Sequence, residues 1–418
     1  MPFLDHKLVE FESSEIRAQG REEEARSQFT SARWNLAEDD PQPTEAGCFR
    51  AVISRRVVAV KQSVLQLLVC LRCQGTLKAE AFQTEGREIM EGALGCSCGA
   101  QYPIISGVPR MLPGHLLPDL ASDYPAFFTR HAGRLSLQEP VGSIASRVQR
   151  RTQESFGYEW TWASDFQGDG FPEWFPEGIH PEMVFRGHVG LEVGCGAGRH
   201  AEIAARFAKE HFAIDLSRAV DPAFERTRAM ENCHVIQADT FHLPFKKGSF
   251  DYVYCLGVLQ HLHDPKGGFR HLTNQPREGG ALLVNVYQAS RPVAQFLLEL
   301  VRKVTTRLPN TVLRYLSIAA ALVDYGLFVL PWKKVRRGWF GRALHRFVPQ
   351  RIDEYARHDF DTCVTDWFDR LSCPVKLHFK REDLISWYQK AGYAEVIVTP
   401  YWKAFWNGYG RRIARFTP

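Results

Sequence analysis

The chain has 418 residues, of which 45% are hydrophobic and 24% are charged, a composition that is ordinary for a globular protein of two or three domains. The net charge of +5 is too small to identify a partner, but the charge is unevenly placed. Residues 302–357 hold twelve Lys and Arg against three Asp and Glu. Ten cysteines without an apolar leader at the N-terminus favour reduced thiols and metal ligation, and they predict a cytoplasmic protein.

Residues 1–60 are polar and show no hydrophobic periodicity. We expect an N-terminal extension there and assign it no chemistry.

The first candidate site lies in residues 61–115, where cysteines come in two closely spaced pairs. Cys70 and Cys73 form one pair, Cys96 and Cys98 form the other, and a glycine follows each pair closely. Two thiolate pairs at this separation are typical of tetrahedral zinc held by two knuckles. The alternative is four free thiols, or a ribbon that has lost its metal, because the second pair has one spacer residue where two are usual.

The residues after the second pair continue through Tyr102-Pro103-Ile104 to Gly107-Val108-Pro109. From Leu65 to Pro113 the segment resembles the zinc-ribbon family typified by the small activator subunit of tRNA and release-factor methyltransferases. Such ribbons also occur in front of methyltransferase domains. The resemblance implies that the four cysteines hold a structural zinc ion.

Residues 116–150 are typical of a connector with one or two helices. Aromatic residues then become dense between Phe156 and Phe175. They favour a packed cap on the main sheet, and the alternative is that Phe156 to Trp160 close over a cofactor or substrate.

A short apolar run from Val189 to Val193 leads into three alternate glycines, Gly194, Gly196 and Gly198, and then into a helical pattern. Strand, glycine turn and helix together bring backbone close to a nucleotide-like ligand in a doubly wound sheet. A second apolar strand ends at Asp215, which lies 21 residues after Gly194 and can accept hydrogen bonds from ribose hydroxyls. This much would also fit a nicotinamide dehydrogenase.

Further strands and helices alternate as a parallel α/β sheet requires. We predict the third, fourth and fifth strands at residues 234–237, 249–255 and 280–287. A late helix, from His378 to Gly392, then leads to a strand at residues 394–399 and a last strand from Tyr401 to Phe405.

Residues 151–290 resemble the core of class I methyltransferases that use S-adenosylmethionine. The motifs that carry the resemblance are the glycine turn, the acid at 215, Gln237-Ala238-Asp239 before Leu243-Pro244-Phe245, and Phe250-Asp251-Tyr252-Val253. A subgroup with a zinc ribbon in front also shares Gly257-Val258-Leu259-Gln260-His261, although His is frequent where this chain has Gln260. The resemblance implies a Rossmann-like sheet of seven strands, completed by residues 359–418.

The resemblance also implies roles at the cofactor site. Gly194, Gly196 and Gly198 would let the chain pass close to the cofactor, with Cys195 as a small apolar filler. Glu192 would lie near the ammonium group, and Asp215 with Leu216 near the ribose. The adenine would meet Asp239, whose alternative role is a helix N-cap, and Thr240. Leu256 and Gly257 would end the fourth strand at the methionine part.

A general base is needed only if the methyl acceptor must lose a proton. His261 is the best candidate, since it follows the fourth strand. His200 and Tyr158 are weaker candidates.

Residues 291–358 interrupt the alternation with a helical, basic insertion. It predicts a lid over the substrate, or contact of residues 291–350 with a membrane surface or a lipid-like acceptor. The apolar run from Leu316 to Leu330 is short for a membrane span and contains Asp324, so we do not interpret it as one.

We therefore predict a cytoplasmic methyltransferase, with peripheral membrane contact as a second expectation, that acts on a small or lipophilic molecule. A methyltransferase of RNA ring nitrogens is the alternative enzyme, and nucleic acid is the less favoured partner. A binding module without turnover is the alternative that is not an enzyme.

Overall fold

The structure is a computed structural model that describes residues 62–86, 88–135, 147–163, 171–289, 292–345, 348–357, 360–401 and 404–413. The extension predicted at residues 1–60 lies outside these residues.

Strands of the described residues are numbered in chain order. They are β1 (Leu77–Glu85), β2 (Glu88–Cys96), β3 (Gln101–Ile105), β4 (Val108–Met111), β5 (Val189–Val193), β6 (Glu210–Asp215), β7 (Cys233–Ala238), β8 (Phe250–Leu256), β9 (Pro276–Tyr287), β10 (Tyr393–Tyr401) and β11 (Phe405–Arg412).

Helices are numbered in the same way. They are α1 (Gln62–Leu67), α2 (Leu117–Asp123), α3 (Pro125–Arg130), α4 (Arg147–Trp162), α5 (Pro181–Phe185), α6 (Arg199–Ala205), α7 (Val220–Thr227), α8 (Pro265–Thr273), α9 (Pro292–Thr305), α10 (Asn310–Asp324), α11 (Leu330–Val335), α12 (Trp339–Leu344), α13 (Gln350–Tyr355), α14 (Phe360–Ser372) and α15 (Arg381–Lys390). A π-helical segment, Tyr325–Val329, joins α10 to α11.

Seven strands form the predicted doubly wound sheet, in the order β7-β6-β5-β8-β9-β11-β10. The first five are parallel, and β11 is antiparallel to both β9 and β10. Strand order reverses at β5, which lies between β6 and β8. In open α/β sheets a ligand binds at such a switch point, outside the carboxyl ends of the strands. The predicted α/β fold is thus confirmed.

Both faces of the sheet are buried, which explains why the sequences of its strands are nearly continuous runs of apolar residues. Along β8, Val253 and Cys255 join the core cluster on one face, while Tyr252 and Tyr254 join the cluster on the other. This alternation follows the two-residue period of a strand.

The four strands of the cysteine-containing segment continue the same sheet. β4 pairs parallel with β7 through Arg110 opposite Gln237 and Met111 opposite Ala238, and β3, β2 and β1 follow in an antiparallel series. One sheet of eleven strands results. The domain boundaries predicted from the sequence remain predictions.

The last strand was placed wrongly from the sequence. Tyr401 ends β10, and β11 begins only at Phe405 and continues to Arg412. Asn407, Gly408 and Gly410 interrupt the apolar pattern that would identify a strand. The two glycines are needed because Tyr388 packs closely against them and leaves no room for side chains.

The insertion is helical, as predicted, and it contains α9 to α13. Among the described residues, one helix, Asn310–Val335, is long and apolar enough to cross a membrane by length and composition alone.

Candidate functional site

A cleft opens at the carboxyl ends of β5, β6, β7 and β8. It encloses about 1150 Å³ of space that no protein atom fills, including space open to solvent. Nine of the eleven predicted cofactor-binding residues line it: Gly194, Cys195, Gly196, Asp215, Leu216, Asp239, Thr240, Leu256 and Gly257.

The floor of the cleft is the glycine turn after β5. Gly194 has φ of +85°, and a Cβ atom there would lie 2.1 Å from Cγ2 of Val258. Gly196 has φ of +51°, and a Cβ atom there would lie 3.2 Å from the Trp160 ring. Both the left-handed backbone and the lack of space require glycine, which leaves the backbone of the turn accessible from the cleft.

Asp215 ends β6 and fixes the turn. Its Oδ2 accepts a hydrogen bond from the Gly196 N–H at 3.0 Å, and its Oδ1 accepts from the Ser217 N–H at 2.8 Å and the Ser217 hydroxyl at 2.7 Å. Burial raises the pKa of Asp215, while these hydrogen bonds act to lower it. A carboxylate offers about four acceptor positions, so it can accept a further hydrogen bond from a ligand.

Asp239 directly follows β7, the neighbouring strand. Its Oδ1 accepts from the Phe241 N–H at 3.2 Å, and its Oδ2 lies 2.7 Å from Nδ1 of His242. The residues that follow Asp239 form a turn, so no helix begins there and the N-cap alternative is wrong.

Glu192 and Gly198 do not line the cleft. Glu192 is buried beneath the turn, where its Oε2 accepts from the Tyr254 hydroxyl at 2.9 Å, and burial raises its pKa to about 8. Gly198 has φ of +79° and faces α7, since a Cβ atom there would lie 3.0 Å from Cα of Ala223. Both residues therefore support the turn from behind.

Helix α4 forms a wall of the cleft. From the sequence, only the stretch from Phe156 to Trp160 was considered as part of a ligand site, and only as an alternative. Thr152, Phe156 and Trp160 line the cleft at intervals of four residues, which places them on one side of the helix. Of the two alternatives for Phe156 to Trp160, the structure brings Phe156 and Trp160 to the cleft.

His261 lies at the cleft, at the end of the 3₁₀ turn Leu259–His261 that follows β8. Its Nδ1 is 2.8 Å from the Val375 carbonyl oxygen and 3.0 Å from Sγ of Cys373. A proton on Nδ1 that is donated to this carbonyl leaves Nε2 with a free electron pair. Burial lowers the pKa of His261 to about 4, so the imidazole is neutral at pH 7.

A largely buried charged pair lies behind His261. Asp369 of α14 accepts from the Lys376 ammonium at 2.7 Å and from the Tyr287 hydroxyl at 2.9 Å. The His261 ring contacts the Tyr287 ring edge to face, with centroids 5.5 Å apart. Lys376, Asp369 and Cys373 belong to the C-terminal residues, and no local sequence motif marked them.

The two weaker base candidates differ in position. His200 lines the cleft, stacks on Phe171, and has a pKa well below its usual range because of burial. Tyr158 does not line the cleft, since it stacks on Phe368 of α14 on the other side of α4.

The four cysteines of the ribbon converge as predicted. Ligand atoms of Cys70, Cys73, Cys96 and Cys98 lie within 4.8 Å of one another. The Sγ atoms of Cys70 and Cys98 are 3.6 Å apart, and those of Cys73 and Cys96 are 3.4 Å apart. A tetrahedral zinc ion with Zn–S bonds of about 2.3 Å requires sulfur atoms roughly 3.8 Å apart, so the cluster fits one zinc ion.

Groups around the cluster support this fit. The Tyr102 hydroxyl lies 3.3 Å from Sγ of Cys70 and accepts from the Leu71 N–H at 2.9 Å. A Cβ atom on Gly75 would lie 3.1 Å from Sγ of Cys73, so the glycine leaves room for the sulfur atom. Outer hydrogen bonds of this kind orient the ligands of metal sites.

Residues 191–284 match a family model described as "Methyltransferase domain". This segment contains the glycine turn and both acids of the cleft. Over these residues the chain therefore matches a methyltransferase domain. The family match does not cover residues 65–113, so the resemblance of the ribbon to the activator subunit stays a prediction.

Curated relatives match over short segments. The tRNA U34 carboxymethyltransferase of Psychromonas ingrahamii is 34% identical over 22% of this chain and 30% of its own length. The ubiquinone biosynthesis O-methyltransferase of Xanthomonas campestris is 30% identical over 27% of this chain and 47% of its own length. The chain thus spans less than half the length of either protein. A solved structure of a SAM-dependent methyltransferase from Aquifex aeolicus is 13% identical, with a TM-score of 0.35 over 61% of this chain and 98% of that chain.

Proposed function

We propose that the chain transfers a methyl group from S-adenosylmethionine to a small or lipophilic acceptor. The observation that carries this proposal is that Asp215 and Asp239, at the ends of two neighbouring strands, both line the cleft whose floor is the glycine turn. When bound, S-adenosylmethionine supplies an electrophilic methyl group on a sulfonium. Methyl transfer to a nucleophile needs the two reactants held in line, and such alignment supplies much of the acceleration.

We propose the following roles for residues of the cleft. Asp215 accepts hydrogen bonds from the ribose hydroxyls, and Asp239 accepts from the adenine amino group. The Thr240 N–H donates to an adenine ring nitrogen. The backbone of Gly194 and Gly257, where no side chain intervenes, borders the methionine part.

We assign His261 the role of general base for an acceptor that must lose a proton. The Val375 carbonyl fixes the orientation of the ring, and the lowered pKa keeps it neutral. Phe156, whose ring contacts His261 and lines the cleft, favours an acceptor with an apolar or aromatic part.

The lid alternative for the insertion receives no support, because no described residue between 292 and 357 lines the cleft. The insertion instead packs beside the wall of the cleft, where Arg151 of α4 donates to the Thr306 carbonyl at 3.1 Å. This position leaves the membrane-surface alternative, which would bring a lipophilic acceptor near the enzyme.

RNA remains a second candidate acceptor. The observation that favours it is the similarity to tRNA U34 carboxymethyltransferases, together with the basic residues of the insertion. Neutralising Lys333, Lys334, Arg336 and Arg337 would then abolish a salt-dependent RNA affinity.

Calorimetric titration with S-adenosylmethionine tests the cofactor assignment. We expect the wild type to bind, and Asp215→Asn to bind about 10-fold to 100-fold more weakly, because hydrogen bonds to a charged group contribute roughly 1.5–3 kcal/mol. Asp361→Asn, which changes an exposed carboxylate that does not line the cleft, serves as the control. Wild-type protein that does not bind would overturn the proposal.

Transfer of labelled methyl groups to lipid and RNA fractions of the organism that encodes the chain then separates the two acceptor classes. Label in the lipid or small-molecule fraction supports the first candidate, and label in RNA alone supports the second.

A further inference from the structure

Large hydrophobic side chains are exposed mainly in one part of the molecule. Of nineteen such exposed side chains among the described residues, fifteen lie between Phe296 and Trp339. Exposed apolar patches of this extent mark interaction surfaces, whereas single exposed apolar residues are ordinary.

The continuous helix from α10 through the π segment to α11 carries most of them. The spacing of the buried residues on its inner side explains the π segment. Leu313, Ser317 and Ala321 are fully buried at intervals of four residues, and Asp324 is also buried. The next buried residue, Val329, comes five residues later, at the end of the π segment. A turn with i→i+5 hydrogen bonds absorbs this longer step and keeps one side of the helix against the protein.

Asp324 belongs to this inner side. Its Oδ2 accepts from Nε1 of Trp367 at 3.1 Å, on α14. The acid that interrupts the apolar sequence pattern therefore does not interrupt the outer surface.

The outer side of the helix is apolar along its length, and we name it the apolar face. Its large side chains are between 39% and 74% exposed: Val312, Tyr315, Leu316, Leu322, Val323, Leu327, Phe328, Leu330 and Val335. At about 1.5 Å per residue, the 26 residues of this helix span roughly 39 Å.

The exposed charges in the segment that carries the apolar face have one sign. Between Leu300 and His345 the only acidic residue is the buried Asp324. Exposed basic residues flank the face at both ends: Lys303, Arg307 and Arg314 before or within its first turns, and Lys333, Lys334 and Arg337 at its far end. An apolar side with basic residues at its margins is the pattern of helices that lie in the interface of a membrane with anionic lipids.

We propose that the apolar face docks in the plane of a phospholipid bilayer that contains anionic lipids. A second copy of this chain fits the face less well, because pairing would bring the basic margins of two copies together. Nucleic acid would leave the apolar side chains without a partner. A spanning helix would need to leave α14, against which α10 packs, and would carry Asp324 into lipid.

The docking stands on surface chemistry alone and does not depend on the proposed methyl transfer. Together with the proposed function, on which this point rests, docking would bring the cleft and a lipophilic acceptor close to the same lipid surface.

Vesicle co-sedimentation of the full chain tests the proposal. We expect binding to vesicles of phosphatidylcholine with phosphatidylglycerol, and weaker binding to phosphatidylcholine alone. Leu322→Glu with Leu327→Glu should lower the affinity at least tenfold, since both side chains are more than half exposed on the apolar face. Lys333→Ala, Lys334→Ala and Arg337→Ala together should lower affinity for the anionic vesicles roughly 100-fold, at about fivefold per basic residue, and high salt should do the same.

Met183→Glu is the matched control, because Met183 is 76% exposed but lies on α5, outside the face. It should bind vesicles as the wild type does. Equal S-adenosylmethionine affinity of Leu322→Glu with Leu327→Glu and the wild type shows that the variant is folded, and failure of the wild type to bind this cofactor affects only the proposed function.

Three results would overturn the docking proposal. These are absence of binding to anionic vesicles, equal binding by the glutamate variant, and retention of the protein in the membrane after alkaline carbonate extraction, which would indicate a spanning helix. A wild-type dimer that the same glutamate pair converts to monomer would assign the face to self-association instead.

Discussion

His261 shows how a single side chain takes its chemical character from residues distant in sequence. Val375 and Cys373 contact its Nδ1, and both lie more than a hundred residues away. Burial lowers its pKa, the charge of Asp369 acts to raise it, and the charges of Lys376 and Arg302 act to lower it. The result is an imidazole that can accept a proton from a bound group and is uncharged at physiological pH.

The first prediction concerns His261→Asn. Asparagine can donate to the Val375 carbonyl as Nδ1 does, but it offers no base, so we expect the rate of methyl transfer to fall by about 10²–10⁴-fold. Cofactor affinity should stay within roughly twofold, since packing and the hydrogen bond are kept. Single-turnover transfer of labelled methyl groups and calorimetry measure the two quantities.

The pH dependence follows from the direction of the shift. Below pH 4 the wild-type imidazole is protonated and cannot accept a proton, so the rate should rise as the pH rises through about 4 and be level near neutrality. His261→Asn should lose this rise, whereas His180→Gln, a change of an exposed histidine, should keep it. An unchanged rate in His261→Asn would assign His261 a purely structural role.

At the level of elements, the turn between β5 and α6 requires glycine for two separate reasons, backbone conformation and lack of space. Gly194 needs positive φ and also lacks space for a Cβ atom. Gly178 has nearly the same φ, +84°, but nothing lies within 4 Å of the position of a Cβ atom there. The two positions therefore form a matched pair that separates backbone strain from steric overlap.

The second prediction uses this pair. Gly178→Ala should lower the free energy of unfolding by about 1–2 kcal/mol, the cost of a left-handed backbone for an L-residue. Gly194→Ala should cost roughly 1–3 kcal/mol more, because Val258 must move, and it should also weaken S-adenosylmethionine binding. Urea unfolding and calorimetry measure both effects. Equal losses of stability at the two positions would contradict the steric argument.

The secondary-structure elements could be predicted from the sequence further than the contacts between them. Six of the seven strands, the glycine turn and the acids at 215 and 239 follow from local patterns, because strand period, turn geometry and the spacing after a glycine turn are read over a few tens of residues. The contact of His261 with Cys373 joins residues 112 positions apart, and that of Arg110 with Gln237 joins residues 127 positions apart. Only tertiary packing creates such contacts. The last strand was missed for a related reason, since its glycines fit the Tyr388 ring and not a strand pattern.

In the whole molecule, Arg110 joins the ribbon to the sheet. It is fully buried, and it donates to the Gln237 side chain at 3.1 Å, the Ile105 carbonyl at 2.9 Å and Asp221 at 2.5 Å. Gln237 in turn donates to the Leu216 carbonyl at 2.9 Å, and Leu216 lines the cleft. The cysteine-containing segment and the cleft are thus connected by a series of hydrogen bonds.

The third prediction follows from this connection. Chelation of zinc should lower the unfolding midpoint of the whole chain, and zinc release should coincide with loss of tryptophan fluorescence in a single urea transition. Arg110→Met should lower the free energy of unfolding by about 2–4 kcal/mol, since it leaves buried partners unpaired.

Arg411→Met, which changes an arginine whose side chain is 54% exposed beside Glu395, is the control and should cost little. Two separate transitions, one for zinc release and one for the core, would show that the ribbon is an independent domain.

The pairing of β4 with β7 also decides how the chain tolerates shortening. β4 covers what would otherwise be the outermost strand of the seven-stranded sheet, and it does so at residues 237 and 238, next to Asp239. A chain that begins at Arg151 would leave the backbone N–H and C=O groups at residues 237 and 238 open to pairing with other molecules, which is how exposed edges start aggregation. We therefore expect the ribbon to protect the edge of the seven-stranded sheet, and a chain that begins at Arg151 to be less soluble than the full chain.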